Sequence, residues 1–294
     1  MIPLDRVGCY VPAGRYPLPS SLLMTAIPAR VAGVREVVVT CPRLHPVVLA
    51  AALEAGVDRV FHVGGAHAIA ALAYGTATVP RVDKIVGPGN QWVSAAKAFV
   101  SPDCAIDFYA GPTEILIVAA SGSAEWIAAD LVAQAEHDPD ARAVLVTPSP
   151  RLAARVARQV ERLLAPAGPA RESIARHGGV IVTRTLDEAM ALANAAAPEH
   201  LVVDRESLVD RVRAAGAVFV GSWTAQVAGD YAIGSNHVLP TAGAARFRGG
   251  LNTADFVRLV SVQRVSRRGL ERLAPTVTTL PPVWSSAVMF SHRV

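Results

Sequence analysis

Glu114–Ala119 reads EILIVA, and Ser123–His137 follows as SAEWIAADLVAQAEH. The first is an apolar run of strand length; the second has helical character. The alternation continues in both directions. Upstream, Ser20–Ala32 reads as a helix despite Pro28, Val34–Thr40 (VREVVVT) as a strand, and His45–Ala55 as a helix. Val57–Val63 is then strand-like, Gly64-Gly65 breaks the chain before an alanine-rich helix at Ala66–Tyr74, and Lys84–Val86 is a strand. It ends in Gly87-Pro88-Gly89-Asn90, after which Gln91–Val100 is helical. Downstream, strands at Ala143–Thr147, Val180–Thr183, Leu201–Val203 and Ala217–Val220 alternate with helices at Arg151–Leu164, Leu186–Ala196 and Leu208–Ala214, and Pro166–Pro169 is a loop. Strands that are apolar almost throughout indicate parallel sheets covered on both faces. The expected fold class is α/β, with two consecutive Rossmann-like units, 1–110 and 111–245, joined near Tyr109–Thr113. Periodicity weakens after Thr241, so 246–294 reads as a short helical tail.

Composition sets bounds on function. A chain of 294 residues buries a sizeable core and forms one or two domains. No run approaches the roughly 18 uninterrupted apolar residues that span a bilayer. The start, MIPLDRVGCYVP, lacks the basic and apolar regions of a signal peptide, so the expected location is cytoplasmic. Cys9, Cys41 and Cys104 are widely spaced without CxxC, as expected of small buried hydrophobes in a reducing compartment. The net charge of +4 and pI near 9.2 come mostly from dispersed arginines, with no dense run or interleaved aromatics. They indicate solvated faces rather than nucleic-acid binding.

The chemistry concentrates in Gly229–Thr241, GDYAIGSNHVLPT. Glycine and proline punctuate this loop, while Asp230, Tyr231, Asn236 and His237 give it polar groups to aim and Val238-Leu239 anchor it. Two upstream groups offer partners. Gln134 and His137 are three apart on a helix and share a face, with Asp130 a further turn back. Glu199-His200 sits just before a strand, a position read here as one where parallel-sheet proteins place catalytic groups. Together these carboxylates, imidazoles and amide form a set able to hold a metal and move protons. Gly64-Gly65 and Gly87–Asn90, each between a strand and a helix, suit phosphate binding, although no GxGxxG is present. His45, His62 and His177 read as packing or surface residues.

Seven segments, in order and spacing, resemble histidinol dehydrogenase: GCYVPAGRYPLPSSLLMTAIPARVAGV, VGGAHAIAALAYGT, VDKIVGPGN, AIDFYAGPTEILIVA, DLVAQAEHDPDA, PEHL and GDYAIGSNHVLPTAGAARFRGGL. The similarity spans Pro3–Asp255. It implies an NAD- and zinc-dependent oxidoreductase of amino-acid biosynthesis, usually a homodimer. Such an enzyme takes an amino alcohol to the amino acid through an aldehyde in two hydride transfers. It implies 1–110 as the dinucleotide-binding unit and 111–245 as the unit carrying metal and catalytic residues. By motif, Gln134, His137 and Asp230 correspond to zinc ligands, and Glu199 and His200 to the pair that activates water and shuttles protons. Thr113, where the family usually has Ser, and His237 correspond to substrate contacts, and Tyr10 and Asn90 to dinucleotide contacts. No partner in nucleic acid or membrane is implied.

Three departures from the family stand out. An N-terminal helical region is expected to be missing. His67 stands where the family usually carries a glutamine touching the dinucleotide. The C-terminal helix is shortened, so that Trp284 aligns with a fourth zinc ligand, a histidine, and a glutamate has no counterpart; His292 lies eight positions beyond. Zinc is accordingly expected to be weakly held or absent. Two readings follow: a dehydrogenase whose substrate need not be histidinol, or a non-catalytic descendant that binds a ligand or partner in the old cleft.

Overall fold

The computed structural model describes residues 1–278 except Arg15 and Ala110. Trp284 and His292, and with them the expectation about the fourth ligand, lie outside the described residues. After a two-residue strand, β1 (Ile2–Pro3), strands alternate with helices. The first sheet contains β2 (Arg6–Tyr10), β3 (Glu36–Thr40), β4 (Arg59–Phe61), β5 (Lys84–Val86) and β6 (Ala105–Ile106). Its strands run parallel in the order β4-β3-β2-β5-β6. Helices α1 (Pro19–Val31), α2 (Pro46–Glu54), α3 (Gly65–Tyr74) and α4 (Gln91–Val100) make the crossovers.

The second sheet repeats the plan. It comprises β7 (Glu114–Val118), β8 (Arg142–Thr147), β9 (Gly179–Val182), β10 (His200–Val203) and β11 (Ala217–Val220), all parallel, in the order β11-β10-β7-β8-β9. Around it lie α5 (Ala124–Ala135), α6 (Pro150–Leu163), α7 (Pro169–His177) and α8 (Leu186–Ala196). Counted within each unit, both sheets have the first strand central and a reversal of order between the first and fourth strands. Every residue of β7 is buried. Ile115 and Ile117 pack towards α5 and α6, while Leu116 and Val118 pack towards α8 on the opposite face. Burying each such aliphatic side chain contributes roughly 1.5–3 kcal/mol.

Helix starts follow local chemistry. Ser123, Ser149, Thr185 and Asn90 each accept a backbone N–H of the first turn, which satisfies donors the helix leaves open. Both sheets lie in one compact unit, Pro3–Val257; Met1–Ile2 and the stretch from Arg258 make up the other, in which α10 (Arg267–Thr278) is helical. Among the described residues no helix is long and apolar enough to cross a membrane.

Several elements depart from the sequence reading, among them the two-residue β6, which was not read. β2, the central strand of the first sheet, carries RVGCY, which mixes arginine, glycine and cysteine and has no β-branched run. α7 is polar over ARESIARH, and a proline at its first position starts it where a loop was read to end. Leu208–Ala214 forms no α-helix: a 3-10 helix covers Glu206–Arg211 instead.

Candidate active site

Two pairs of consecutive residues meet at the amino ends of adjacent strands. Thr113-Glu114 leads into β7 and Glu199-His200 into β10, and the register sets His200 beside Ile115. Ala197 closes α8 in the left-handed conformation, with φ 50°, and Pro198 turns the chain towards β10. Gly216 allows the neighbouring loop to close on this turn, since a Cβ there would stand 2.6 Å from the Glu199 carbonyl oxygen. Ligands of parallel sheets ordinarily gather at the carboxyl ends of strands. The position just before β10 is the amino end, so the reason given above for Glu199-His200 is corrected. The pair gains its setting from the Thr113-Glu114 corner, not from a sheet switch point.

Hydrogen bonds join the two corners. Thr113 Oγ1 donates to Glu199 Oε2 at 2.5 Å and accepts from Gln134 Nε2 at 2.5 Å. The Glu114 N–H donates to the same Glu199 oxygen at 2.9 Å. His200 Nδ1 stands 3.1 Å from the Glu114 carbonyl oxygen. A carbonyl only accepts, so Nδ1 carries a proton and Nε2 of the neutral ring is the acceptor. That Nε2 is buried without a partner and lies 4.0 Å from Asp230 Oδ1. Asp230 follows the short helix α9 (Gln226–Gly229), at the head of the glycine-punctuated loop.

Burial and charge set the protonation states. Burial opposes a charged His200, but the Glu199 carboxylate, the Glu114 carbonyl and Asp230 outweigh it and raise its pKa above the ordinary histidine value. Burial pushes the Asp230 carboxyl up, against the pull of His200, His237 and His137. His137 is exposed on the last turn after α5, yet it belongs to the same electrostatic cluster. Burial lowers the His237 pKa more than Asp230 raises it, so this imidazole is neutral at pH 7, and its Nε2 is buried and unpartnered. Glu114 was not singled out from sequence. Burial and then Glu199 raise its pKa, Arg142 opposes them, and its Oε1 accepts the Ala242 N–H at 3.1 Å. A carboxylate at the head of a fully buried strand was the available signal.

Thr113, Gln134, Glu199, His200 and Asp230 therefore converge, with His137 and His237 beside them. Tyr10, His67 and Asn90 lie elsewhere, at the carboxyl end of the first sheet. Tyr10 ends β2 and its hydroxyl accepts the Gly65 N–H at 3.1 Å. His67 is exposed in the first turn of α3, and Asn90 Oδ1 is spent capping α4. These surround the reversal of strand order between β2 and β5, the usual crevice for a nucleotide. A groove of about 850 Å³ between α1 and the β11 edge is mainly apolar, and none of these catalytic or cofactor candidates lines it.

A family model described as histidinol dehydrogenase matches residues 1–283. The chain belongs to the histidinol dehydrogenase family, whose members are NAD-dependent oxidoreductases. A histidinol dehydrogenase of Methanopyrus kandleri is 53% identical over 95% of this chain and 68% of its own length. One of Methylococcus capsulatus is 50% identical over 95% of this chain and 66% of its own length. The crystal structure of histidinol dehydrogenase from Elizabethkingia anophelis superposes with a TM-score of 0.94 at 33% identity, covering 99% of this chain and 71% of that one. The chain thus spans about two thirds of the curated relatives it matches. A Rhodopseudomonas palustris propionaldehyde dehydrogenase, at TM-score 0.55 and 14% identity over 87% of this chain and 72% of its own, shares the fold alone.

The family implies zinc, and the donor set can be tested against it. Among the described residues no three His, Cys, Asp or Glu side chains are grouped to hold a metal. The expected set contains only two of those types, His137 and Asp230, with an amide as the third. Gln134 is fully buried; its Nε2 is engaged by Thr113 and its Oε1 has no hydrogen-bond partner. An orphaned buried acceptor costs about 1–3 kcal/mol, which a cation would relieve. The residues fit the metal.

Proposed function

We propose that this chain carries out the NAD-dependent oxidation of a small amino alcohol of the L-histidinol type to the amino acid, through the aldehyde. The observation that carries this reading is His200, tied at Nδ1 to a backbone carbonyl and left at Nε2 with a buried, unpartnered lone pair. An imidazole held this way takes a proton only at Nε2, which makes it the base for the alcohol hydroxyl in the first oxidation. Its raised pKa strengthens that base. Glu199 takes its internal contacts, from Thr113, the Glu114 N–H and His200 Nδ1 at 3.4 Å, on Oε2. Its Oε1 is left to orient a water and take its proton as the water adds to the aldehyde carbon, before the second hydride leaves.

Thr113 is spent on Glu199 and Gln134, so its part is to set those two side chains and not to grip substrate. His237, neutral and half-buried, suits a hydrogen bond to the bound alcohol's polar groups. Gln134, His137 and Asp230 would hold the zinc that the family implies; when bound, it supplies a Lewis acid that polarises the alcohol oxygen. The dinucleotide belongs at Tyr10, His67 and Asn90, which makes 1–110 the cofactor unit and 111–245 the catalytic one. A cytoplasmic homodimer without nucleic-acid or membrane partners completes the reading. No observation favours a non-catalytic descendant.

The test is NADH formation by the purified protein over a panel of amino alcohols that includes L-histidinol, with zinc content measured in parallel. Oxidation of at least one alcohol, lost in His200→Ala, is the expected result. A panel without turnover in zinc-loaded protein would overturn the proposal.

A further inference from the structure

The first unit contains an ion pair that the chemistry above does not use. Lys97, on α4, and Asp107, just after β6, are both almost wholly removed from water. Their side chains are in direct contact, Nζ to Oδ1. Two buried charges without further hydrogen bonds are costly, because desolvation offsets much of their attraction. Here the remaining donors and acceptors have a shared target. Lys97 Nζ donates to the Gly87 carbonyl oxygen at 3.0 Å, and Asp107 Oδ2 accepts the Gly87 N–H at 2.7 Å. Asp107 Oδ1 also accepts the Phe108 N–H at 2.7 Å.

Gly87 is thus gripped on both of its peptide groups. It needs that grip: its φ is 114°, and a Cβ would fall 2.2 Å from the Tyr10 carbonyl oxygen. The residue opens the turn Gly87-Pro88-Gly89-Asn90, which carries β5 into the amino end of α4, across the reversal of strand order from Tyr10. A turn built of glycine and proline has few side-chain contacts of its own to fix it. Lys97 reaches back from the helix that the turn feeds, and Asp107 reaches in from the strand beside β5. The pair therefore connects three consecutive elements to one glycine.

We propose that the buried Lys97–Asp107 pair is a positioning device for dinucleotide binding, which sets the Gly87–Asn90 turn so that its backbone and the amino end of α4 face the cofactor. This rests on the cofactor reading given above. Neither residue touches the ligand; each acts through Gly87. The turn meets the cofactor away from the reacting atoms, and losing a hydrogen bond made by a charged group is worth about tenfold or more in an equilibrium constant, so the effect is expected in cofactor affinity.

Lys97→Met leaves Asp107 buried and unpaired, and loss of folding there would be uninformative. Lys97→Met/Asp107→Asn removes both charges and takes the donor away from the Gly87 carbonyl; the one remaining side-chain oxygen can accept the Gly87 N–H or the Phe108 N–H but not both. Calorimetry with NAD is run first on the wild-type protein and then on the double variant, with melting temperature and steady-state kinetics alongside. The expected result is a folded double variant whose NAD dissociation constant rises by roughly tenfold or more. KM for NAD rises with it, while kcat at saturating NAD and KM for the alcohol stay within about threefold. Wild-type protein that binds NAD, with a folded double variant of equal affinity, overturns the positioning role and leaves the cofactor reading standing. Wild-type protein with no NAD affinity overturns both.

Discussion

Replacing Thr113 by valine keeps the shape of the side chain and deletes a hydroxyl that makes two hydrogen bonds at 2.5 Å, to Gln134 and to Glu199. Glu199 retains the Glu114 N–H, but its carboxylate is no longer held from the second direction. Gln134 loses the acceptor that distinguishes its nitrogen from its oxygen, so a flipped amide becomes as favourable as the native one. One lost bond involves a carboxylate, worth about 1.5–3 kcal/mol, and the other strands a buried amide donor at about 1–3 kcal/mol. With partial relaxation, Thr113→Val is expected to cost about 2–4 kcal/mol of stability. Loss of an outer contact to a metal ligand ordinarily lowers metal affinity or activity about 10–100-fold. The assay has two parts: zinc retained after graded chelation, and NADH formed separately from the alcohol and from the aldehyde. Both zinc affinity and aldehyde oxidation are expected to fall, and Thr113→Ser should restore each to within a few-fold. A valine variant that keeps zinc as the wild type does, and oxidises the aldehyde at the wild-type rate, would show that the hydroxyl is not the link between these side chains.

Glu199→Gln is expected to stall the aldehyde-to-acid step and let aldehyde accumulate, whereas His200→Ala slows the first oxidation; equal turnover in both variants counts against the assigned roles. The kcat/KM of the first oxidation should rise with pH through an inflection above the ordinary histidine value of 6.5, because the proposed base is the neutral form of His200. His67→Gln should tighten NAD binding, which calorimetry reads directly; no change would remove His67 from the cofactor site. Asp130, whose pKa burial raises from 3.8 to about 6, binds its proton more tightly folded than unfolded. Stability attributable to it is present at pH 4 and lost as pH rises through about 6. Asp130→Asn should therefore stabilise the protein at pH 8, by at most about 2 kcal/mol given its partial exposure, and not at pH 4. Equal melting shifts at both pH values would refute this.

Much of the architecture was legible from the chain because strand and helix periods are local properties. Apolar runs such as EILIVA and the serine, threonine and asparagine caps mark where elements begin, and their alternation implies parallel sheets. The ordered motifs PEHL, DLVAQAEHDPDA and GDYAIGSNHVLPT were enough to name Gln134, His137, Glu199, His200 and Asp230 as one set. β2 escaped because a central strand can take RVGCY when its neighbours supply the packing. The tertiary structure alone decided that Thr113, Glu199 and His200 meet at the amino ends of β7 and β10, that Thr113 bonds Glu199, and that Lys97 reaches back to Gly87. Thr113 and Glu199 are 86 residues apart, and so are His200 and the Glu114 carbonyl that sets its tautomer. Pairings of that kind are fixed by sheet register and strand order, which bring distant corners within hydrogen-bonding range only once the whole unit has folded.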